Sequence, residues 1–572
     1  MTSRRYPEWL PAAGIVFLAL AASISGISNQ YAQDDFAIIL KNEPVHHLWT
    51  SWQFFGKPYW PPPFVPDLYR PLALLSFAAQ WAIGGGNPLV FRIASYLLYA
   101  VVCVQVLRLL RVRLPLAPAF AGAALFAVHP VHVEAVAMAV NQGELWVALA
   151  CCLAVIWYVR ARNGGGPLPV RAELGISGLF LVACFFKENA LMLPGMVLAA
   201  ELLLVRSTRR LRDRIPEVRR FFLVLMLVAV SFYGIRTLVL RGDLVGSFTA
   251  EALAYLTRGE RAITMLAVVP HWFRLLFWPA HLQGDYSPAE IVGQTEWGAQ
   301  QTQGLLLLLF SATLMVWSWK RAPVIAFGLL WCAFALFPVH NVLVSTGIVL
   351  AERTLFLASV GVVISLAGIG ELLLRRTSYP VQVALAGAVG LLLILGVYRS
   401  TIRHPIWADQ FTYWYQTANR DAPLSYRAHH ALAEMYFGAR LEGRAEREYR
   451  LAIAYSPPRL MQVGVDYANR LRIKGLCYPA LPYYRNALAV HPNFLNWRAS
   501  FVACLLHLGK YQEAKSVALL GGTYEYQVET WRRIRRTADS ALRVGAPPGS
   551  VKFDLPASDS VGTHMGIGTS TP

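Results

Sequence analysis

The chain has few charged residues for its length. Only 15% of its 572 residues are charged, whereas 56% are hydrophobic. A soluble domain carries nearer ~25% charge, so the composition argues against a soluble globular protein. Apolar runs long enough to cross hydrocarbon recur from Trp9 to about Tyr398, which predicts an all-α, polytopic membrane protein.

Cysteine is also scarce, with seven residues in the whole chain. Neither a metal-ligand spacing nor a disulfide framework can be read from them. We interpret Cys477 and Cys504, in the C-terminal part, as helix-packing residues. The other five lie in apolar runs: Cys103, Cys151, Cys152, Cys184 and Cys332.

Acidic residues are fewer than basic ones, which gives a formal net charge of +19. Much of this charge lies in short connections between apolar runs, as the positive-inside rule expects. We therefore expect membrane lipids, and no nucleic acid, to face these residues. Arg4 and Arg5 place the N-terminus in the cytoplasm. Residues 1–28 also fit a signal peptide, but the length of the apolar run and the spans that follow favour an uncleaved anchor.

The apolar runs predict about eleven transmembrane helices in a membrane domain over residues 1–398. An odd number of spans puts the C-terminus outside. Two outer segments interrupt the spans, a first loop at 29–87 and an amphipathic region at 241–303. Within the first loop, residues 71–84 are apolar but short, which favours a helix lying in the membrane interface.

From residue 399 the composition changes to a soluble helical pattern. Small and turn residues recur at a period of 34 or 35, as at Gly475 and Gly509 or Ala445, Ala480 and Ala514. This period predicts tetratricopeptide (TPR) repeats over 399–540. Such arrays are usually binding surfaces, although a structural cap on the membrane domain is the alternative. The tail at 541–572 is rich in Gly, Ser, Thr and Pro and is expected to be disordered.

Two adjacent carboxylates, Asp34 and Asp35, follow the first span in a polar, proline-rich stretch at residues 29–71. Paired acids at a membrane surface are costly unless they have a use, so we treat them as candidate catalytic groups. The alternative is that Asp34 caps a short helix starting at Phe36, because Asp is a favoured N-cap residue.

Further ionisable residues fall on the same predicted outer side, where such residues default to a functional hypothesis. Arg and Lys among them suit a lipid-linked phosphate, and a carboxylate could take the proton from an attacking hydroxyl. The phosphate-binding candidates are Arg353, Lys187 and Arg70. The supporting candidates are His129, His132, Glu134, Glu144, Glu188, Asp285, Tyr286, His340 and Glu352.

A metal site is the alternative use of some of these residues. His129, His132 and Glu134 could be ligands, but HPVHVE does not have the helical HExxH spacing. Asp34 and Glu134 are the residues that could hold Mg²⁺ or Mn²⁺ if one is needed.

Several blocks of the sequence resemble one family. They are DDFAII, LYRPLALLSFA, LFAVHPVHVEAVA, FFKENALMLP, FRLLFWPAHLQGDYSP and FPVHNVLVSTGIVLAERTLFLASVG, followed by the repeats. In this order, over roughly residues 10–515, they resemble the transmembrane and tetratricopeptide-repeat O-mannosyltransferases, a branch of the GT-C glycosyltransferases, and especially their bacterial relatives.

The resemblance implies a GT-C fold, an outer-face active site and a polyprenyl-phosphate sugar donor. Asp34 and Asp35 match the paired acids of the family, His132 and Glu134 the second outer-loop motif, and Lys187-Glu188 the Lys-Glu pair. Arg353 matches the Arg of the AER motif and is an expected phosphate contact. Asn141-Gln142 and the short repeat array depart from the family pattern, so animal acceptors are a poor guide.

We therefore expect an inverting membrane glycosyltransferase with Asp35 as first choice for the base and Asp34 in support. The acceptor would be a protein, or a glycan, recruited by the repeats. The inner membrane of a bacterium, with the repeats in the periplasm, is the expected location. The alternatives are a flippase for lipid-linked sugars, a surface-glycan ligase and a non-catalytic scaffold.

Overall fold

A computed structural model describes residues 7, 9–64, 67–163, 166–207, 209–242, 249–521 and 528–551. These residues form helices and connecting turns, with no strand among them. They fall into two compact units, one formed by residues up to 286 with 291–423, the other by 287–290 with 424–551. Two predictions concern residues outside this described part. They are the cytoplasmic N-terminus, which depends on Arg4 and Arg5, and the disordered tail from residue 552 onwards.

The first unit contains fifteen α-helices within its described residues. They are α1 (Trp9–Ser23), α2 (Pro71–Gly84), α3 (Pro88–Arg111), α4 (Leu116–Ala127), α5 (Val133–Ala137), α6 (Gln142–Arg162), α7 (Val170–Phe186), α8 (Leu193–Leu203), α9 (Leu211–Val239), α10 (Arg258–Phe277), α11 (Ala299–Arg321), α12 (Pro323–Leu336), α13 (Phe356–Arg376), α14 (Tyr379–Arg403) and α15 (Gln410–Gln416).

Seven helical segments in the described part of the chain are long and apolar enough to cross a membrane. They are Trp9–Gly26, Pro88–Arg111, Ala139–Arg162, Arg212–Val239, Ala299–Arg321, Glu352–Arg376 and Tyr379–Trp407. An eighth results if α4 and Pro130–Ala137, which meet at 46°, form one bent span. The other predicted spans match α7, α8 and α12, which are shorter. The chain is thus a membrane protein that is all-helical in its described part, and the count of eleven stays a prediction.

Helices α3, α6 and α13 form the interior of this unit, whereas α9, α11 and α14 keep most of their apolar side chains on the surface. An apolar surface of this kind is what lipid contact requires. Two glycines let α12 and α13 pack closely, because a Cβ atom on Gly361 would overlap the carbonyl oxygen of Gly328. Small residues commonly bring membrane helices together in this way.

The first loop, between α1 and α2, contains short 3₁₀ and π turns in its described part. They are Ile24–Gly26, Phe36–Leu40, Glu43–His46 and Leu48–Gly56. Asp35 precedes the turn that begins at Phe36, and its side chain makes no capping hydrogen bond. The predicted cap by Asp34 would have to occupy this position, so the structure does not favour it.

The second unit consists of helical pairs followed by one more helix. The described helices are α16 (Tyr426–Gly438), α17 (Glu442–Tyr455), α18 (Gln462–Ile473), α19 (Cys477–Val490), α20 (Leu495–His507), α21 (Tyr511–Gly521) and α22 (Val528–Val544). Helix α22 thus ends inside the segment 541–572 that the sequence predicts to be disordered.

Equivalent turns recur within these pairs. Arg440, Gly475 and Gly509 each connect two paired helices with a positive φ of 59°, 77° and 72°, a conformation that glycine adopts at no steric cost. The buried alanines Ala445, Ala480 and Ala514 recur with the same spacing. These features are consistent with a repeat, and the TPR assignment stays a prediction.

Cys477 and Cys504 form a disulfide between α19 and α20, across 27 residues of sequence. The interpretation of these two residues as simple helix-packing residues was therefore wrong. Both sulfur atoms lie in the core of the second unit, where packing of the helices brings the Cα atoms to 5.1 Å. The spacing in the sequence carries no information on this distance.

Replacing both cysteines with serine is expected to destabilise the second unit by about 3–4 kcal/mol, because the cross-link restricts the unfolded chain across its loop. Thermal unfolding of the full chain, followed by far-UV circular dichroism with and without reductant, measures the effect. Reductant should lower the transition of the wild type and leave that of the Cys477→Ser/Cys504→Ser variant unchanged. Equal transitions for both proteins without reductant would contradict the prediction.

Candidate functional site

Asp35 is completely buried and lies in a network of hydrogen bonds. Its carboxylate accepts from the backbone N–H of Val140 (3.0 Å) and of Ala139 (3.4 Å) and lies 3.3 Å from Arg92 Nη2 in α3. Burial raises the pKa of Asp35, and the charge of Arg92 and these hydrogen bonds oppose the rise. Asp35 therefore joins the first loop to α3 and to the turn before α6, away from solvent.

Arg92 is itself completely buried, and it holds more than Asp35. It donates to the carbonyl oxygens of Gln30 (2.6 Å), Asn29 (3.4 Å) and Ala137. Its guanidinium thus satisfies backbone groups of the first loop and of the end of α5, in addition to one carboxylate. Arg92 was not among the residues predicted from the sequence, although an arginine inside the apolar run of α3 is a signal that could have identified it.

Asp34 lies in a different environment from that of its neighbour. Its side chain is partly exposed, and its charge acts on the guanidinium of Arg353 and on Tyr59. Successive residues of a helical turn point about 100° apart, so two adjacent acids reach different places. Of the two acids, Asp34 is the one whose charge acts strongly on Arg353.

Three ion pairs, one of which includes Arg353, form what we call the ion-pair cluster. Arg353 contacts Glu134 through its guanidinium and through its backbone N–H, which lies 2.8 Å from the carboxylate. Lys187 Nζ lies 2.6 Å from Glu144. Arg70 donates to Glu188 from Nε (3.0 Å) and Nη2 (2.8 Å). The cluster is thus Arg70, Glu134, Glu144, Lys187, Glu188 and Arg353.

Chain segments from five places in the sequence position this cluster, each at a helix end. Arg70 directly precedes α2, Glu144 lies in the first turn of α6, and Glu134 lies in the short α5. Lys187 and Glu188 follow α7. Arg353 lies in the turn Glu352–Leu355 that leads into α13. Since charges are costly along a span, helix ends are where such groups can lie.

The cations of the cluster are more accessible than most of its acids. The side chains of Arg70, Lys187 and Arg353 are 16%, 17% and 18% exposed, whereas those of Glu144 and Glu134 are 1% and 6% exposed. Glu134 and Glu144 are therefore buried beside the cations, whereas Glu188, with 24% of its side chain exposed, shares the surface with them. A surface of this kind is suited to bind an anion, and the arginines can do so with two parallel hydrogen bonds.

The charges in the cluster act on one another beyond their direct pairs. Burial lowers the pKa of Lys187, and Arg70 and Arg353 lower it further, against the effect of Glu144. Burial acts to raise the pKa of Glu188, but Arg70 holds it below its ordinary value. Asn189 Nδ2 also donates to Glu144 (2.8 Å), and Asn189 was not among the residues predicted from the sequence.

The two histidines lie next to the cluster but have their own partners. His132 lies between Tyr99 Oη (3.0 Å) and Ser359 Oγ (2.8 Å). His129 Nε2 lies 3.0 Å from the carbonyl oxygen of Leu276. In the described part of the chain, no three His, Cys, Asp or Glu side chains are grouped as metal ligands. The contacts of these rings suit the positioning of helices.

Glu352 and Tyr286 belong to a second, largely buried network. Glu352 Oε1 accepts from Tyr286 Oη (3.1 Å) and from the backbone N–H of Gln283 (2.6 Å), and it lies 3.8 Å from Arg403 Nη2. Arg403 also pairs with Asp421. Arg403 was not among the residues predicted from the sequence. It lies at the end of a long apolar run, which is the same kind of signal that marks Arg92.

The remaining candidates are Asp285 and His340. Asp285 acts electrostatically on Tyr413, and His340 lies in a local turn where its ring stacks on Phe337 at 4.8 Å. A cavity of about 420 Å³ lies beside the first loop, but none of the cluster residues lines it. Its walls are formed by Gln30, Tyr31, Phe36, Leu40, Gly86, Pro88, Asp409, Gln410 and Phe411.

Comparison with known proteins gives the same family that the sequence blocks resemble. No protein-family model matches the chain. Protein O-mannosyl-transferase TMTC3 of Mus musculus is 23% identical over 379 residues, which cover 62% of this chain and 41% of TMTC3. The chain therefore spans about two fifths of the length of that relative.

Two other relatives match over different extents. Protein O-mannosyl-transferase F38B6.6 of Caenorhabditis elegans is 22% identical over 454 residues, 77% of this chain and 62% of that protein. Protein O-mannosyl-transferase Tmtc2 of Drosophila melanogaster is 34% identical over 187 residues, 30% of this chain and 20% of that protein.

Proposed function

The curated homologues of this chain are protein O-mannosyl-transferases of the TMTC family, and from this premise we propose that the chain is a membrane glycosyltransferase. It transfers a sugar, of mannosyl type, from a polyprenyl-phosphate carrier to an extracytoplasmic protein. The reaction is inverting, and the fold is of the GT-C class.

The observation that carries this proposal is the ion-pair cluster beside Asp34. Three partly exposed cations pair with carboxylates, two of which are buried, and the charge of the partly exposed Asp34 acts on one of these cations, Arg353. A transferase that uses a lipid-linked phosphate needs cations for the leaving phosphate and a base for the acceptor. Both groups of residues lie together here.

In the proposed reaction, the acceptor hydroxyl attacks the anomeric carbon of the sugar from the face opposite the phosphate. The new C–O bond forms while the bond from that carbon to the phosphate oxygen breaks. Asp34 takes the hydroxyl proton, and polyprenyl phosphate leaves with both bonding electrons. Arg353, Lys187 and Arg70 stabilise the charge that develops on the phosphate.

This proposal exchanges the roles of the two adjacent acids. Asp35 was the first choice for the base, but its burial between Arg92 and two backbone N–H groups favours a positioning role. Asp34 has the exposure and the cationic neighbour that a base acting beside a phosphate needs. Glu352 and Tyr286 then support the turn that carries Arg353.

We further propose that the second unit lies outside the cytoplasm and recruits the acceptor through TPR-type repeats. The disulfide between Cys477 and Cys504 supports this location, since disulfides persist in oxidising compartments. The inner membrane of a bacterium, a cytoplasmic N-terminus and eleven spans remain part of the proposal. A requirement for Mg²⁺ or Mn²⁺ would appear as loss of activity on chelation and recovery on addition of the ion.

The proposal is tested with purified protein in lipid nanodiscs, given polyprenyl-phosphate sugars one at a time. Release of polyprenyl phosphate is the readout, and synthetic Ser/Thr peptides serve as acceptors. Arg353→Gln is expected to reduce turnover by ~10²–10³-fold, since it removes a donor to the leaving phosphate. Arg375→Gln is the matched control, because Arg375 is exposed and lies at the other end of the same helix.

The possible outcomes separate the alternatives. Turnover of the mannosyl donor that Arg353→Gln loses and Arg375→Gln retains supports the transferase. The alternative outcome is that the protein moves the donor lipid between the leaflets of proteoliposomes and leaves the sugar–phosphate bond intact even when peptide is present. That result would overturn the transferase in favour of a flippase. Equal activity of the two arginine variants would contradict the assignment of the phosphate site.

A further inference from the structure

The 3₁₀ helix Leu48–Gly56 in the first loop exposes a row of aromatic side chains. A 3₁₀ helix has three residues per turn, so residues three apart lie on one face. Trp49 and Trp52 are 93% and 71% exposed, and Phe55 is partly exposed on the same face. Ser51 and Phe54, on another face, are buried. We call Trp49, Trp52 and Phe55 the aromatic row.

Ring contacts fix the aromatic row beside the end of a candidate span. The Phe55 ring packs against Phe185 at 5.8 Å, and the Phe185 ring packs against Phe232 of α9 at 5.9 Å. Phe232 precedes the last residue of this helix, Val239, by two turns, which corresponds to about 10 Å along the axis. The loop therefore lies beside α9 below the end of that helix.

Two hydrogen bonds support the same depth. Arg236 Nη2 donates to the carbonyl oxygen of Asp67 (2.9 Å), which ties the end of the first loop to α9. Tyr69 Oη donates to the carbonyl oxygen of Phe55 (2.8 Å), and the Tyr69 ring lies 6.3 Å from Phe232. Both ends of the segment 55–69 are thus held against the outermost turns of one span.

The surface of α9 beside Phe232 carries the exposed apolar side chains of Tyr233 and Ile235. The opposite face is apolar and exposed as well, as at Leu227 and Val230. In a span of this hydropathy such a surface faces lipid. The aromatic row is therefore next to a lipid-facing surface and near the end of the hydrocarbon region. Tryptophan is enriched at this level of membrane proteins, because its large apolar ring also carries a polar N–H group.

We propose that Trp49 and Trp52 insert into the headgroup region of the bilayer and anchor the first loop there. Arg70 directly follows Tyr69, whose hydroxyl donates a hydrogen bond to the 3₁₀ helix that carries the aromatic row. The guanidinium of Arg70 lies 5.1 Å from the centre of the Tyr59 ring. The anchor thus holds Arg70 at the level of lipid phosphates. Anchoring to a phospholipid surface does not depend on the proposed transferase reaction, so the two can fail separately.

The test measures the depth of single sites in the full-length protein. Nitroxide labels are attached to Trp49→Cys and Trp52→Cys, with Thr50→Cys on another exposed face of the same helix as the matched control. The protein is reconstituted into vesicles of phosphatidylethanolamine and phosphatidylglycerol. Power-saturation EPR then compares collision of each label with oxygen, which concentrates in lipid, and with a water-soluble nickel chelate.

Two reference sites calibrate the scale. Leu227→Cys on α9 reports lipid, and Arg450→Cys on α17, an exposed arginine of the second unit, reports water. Labels at 49 and 52 should favour oxygen several-fold over the label at 50 and lie between the two references. The proposal would be overturned if the nickel chelate reached the labels at 49 and 52 as readily as it reaches the label at 450. The unmodified protein gives the background from its native cysteines.

A second measurement needs no introduced cysteine. Brominated lipid should quench a smaller part of the tryptophan fluorescence in Trp49→Ser/Trp52→Ser than in the wild type. Trp297→Ser, at an exposed tryptophan that is not in the aromatic row, is the control. An unchanged quenched fraction in the double variant would also overturn the proposal, because it would place both rings beyond contact with lipid.

Discussion

Asp34→Asn is expected to reduce sugar transfer by ~10²–10⁴-fold, the usual contribution of a general base. The amide is nearly the same size but cannot take a proton from the acceptor hydroxyl. Because Asp34 is partly exposed, the substitution should change the free energy of unfolding of the protein by no more than about 0.5 kcal/mol. Single-turnover transfer from labelled donor lipid to peptide, beside thermal unfolding in the same detergent, measures both effects.

Asp35→Asn is the matched control for this experiment, since it makes the same chemical change one residue along the chain. It weakens the buried contact with Arg92 and should therefore lower the unfolding temperature more than Asp34→Asn does. Its transfer rate, corrected for the folded fraction, should exceed that of Asp34→Asn. The reverse order, with a stable and inactive Asp35→Asn beside an active Asp34→Asn, would restore Asp35 as the base.

The pair Asp34-Asp35 shows which features of the site could be predicted from the sequence and which could not. Two acids after an apolar run are visible in the sequence, and the family resemblance assigns them a catalytic function. Which acid is buried depends on Val140, Ala139 and Arg92, which are far away along the chain. Only the packing of α3 and the turn before α6 against the first loop decides it.

The sequence allowed us to predict which residues form the ion-pair cluster, but not which cation contacts which carboxylate. Hydropathy and the positive-inside rule placed Arg70, Glu134, Lys187 and Arg353 on one side of the membrane. The contact of Arg353 with Glu134 joins residues separated by 219 positions, and no local pattern encodes such a distance. The same holds for the disulfide, where the fold of α19 and α20 brings Cys477 to Cys504.

Helical segments were better predicted than their role in the membrane. Long apolar runs such as α3 and α13 have a strong signal in composition alone. Helices α7, α8 and α12 are short, and whether such a segment crosses the bilayer depends on neighbours that cover its ends. The aromatic row was missed, because it needs a 3₁₀ period of three that a search for helices of period 3.6 does not detect.

Arg92→Met is expected to destabilise the first unit by about 3–5 kcal/mol, the usual cost of removing one partner from a buried ion pair. The substitution leaves the carboxylate of Asp35 uncompensated and removes donors from the carbonyl groups of Gln30 and Asn29. Chemical denaturation in detergent, followed by the fluorescence of the native tryptophans, gives the change in unfolding free energy.

The double variant Arg92→Met/Asp35→Leu distinguishes a charge effect from a loss of packing. Removing both charges eliminates the uncompensated acid, so the double variant should be more stable than Arg92→Met alone. Recovery should be incomplete, because the N–H groups of Ala139 and Val140 lose their acceptor. Strictly additive losses would contradict coupling between the two residues. A wild-type stability for Arg92→Met would contradict the anchoring role itself, and the burial of Asp35 would then need another explanation.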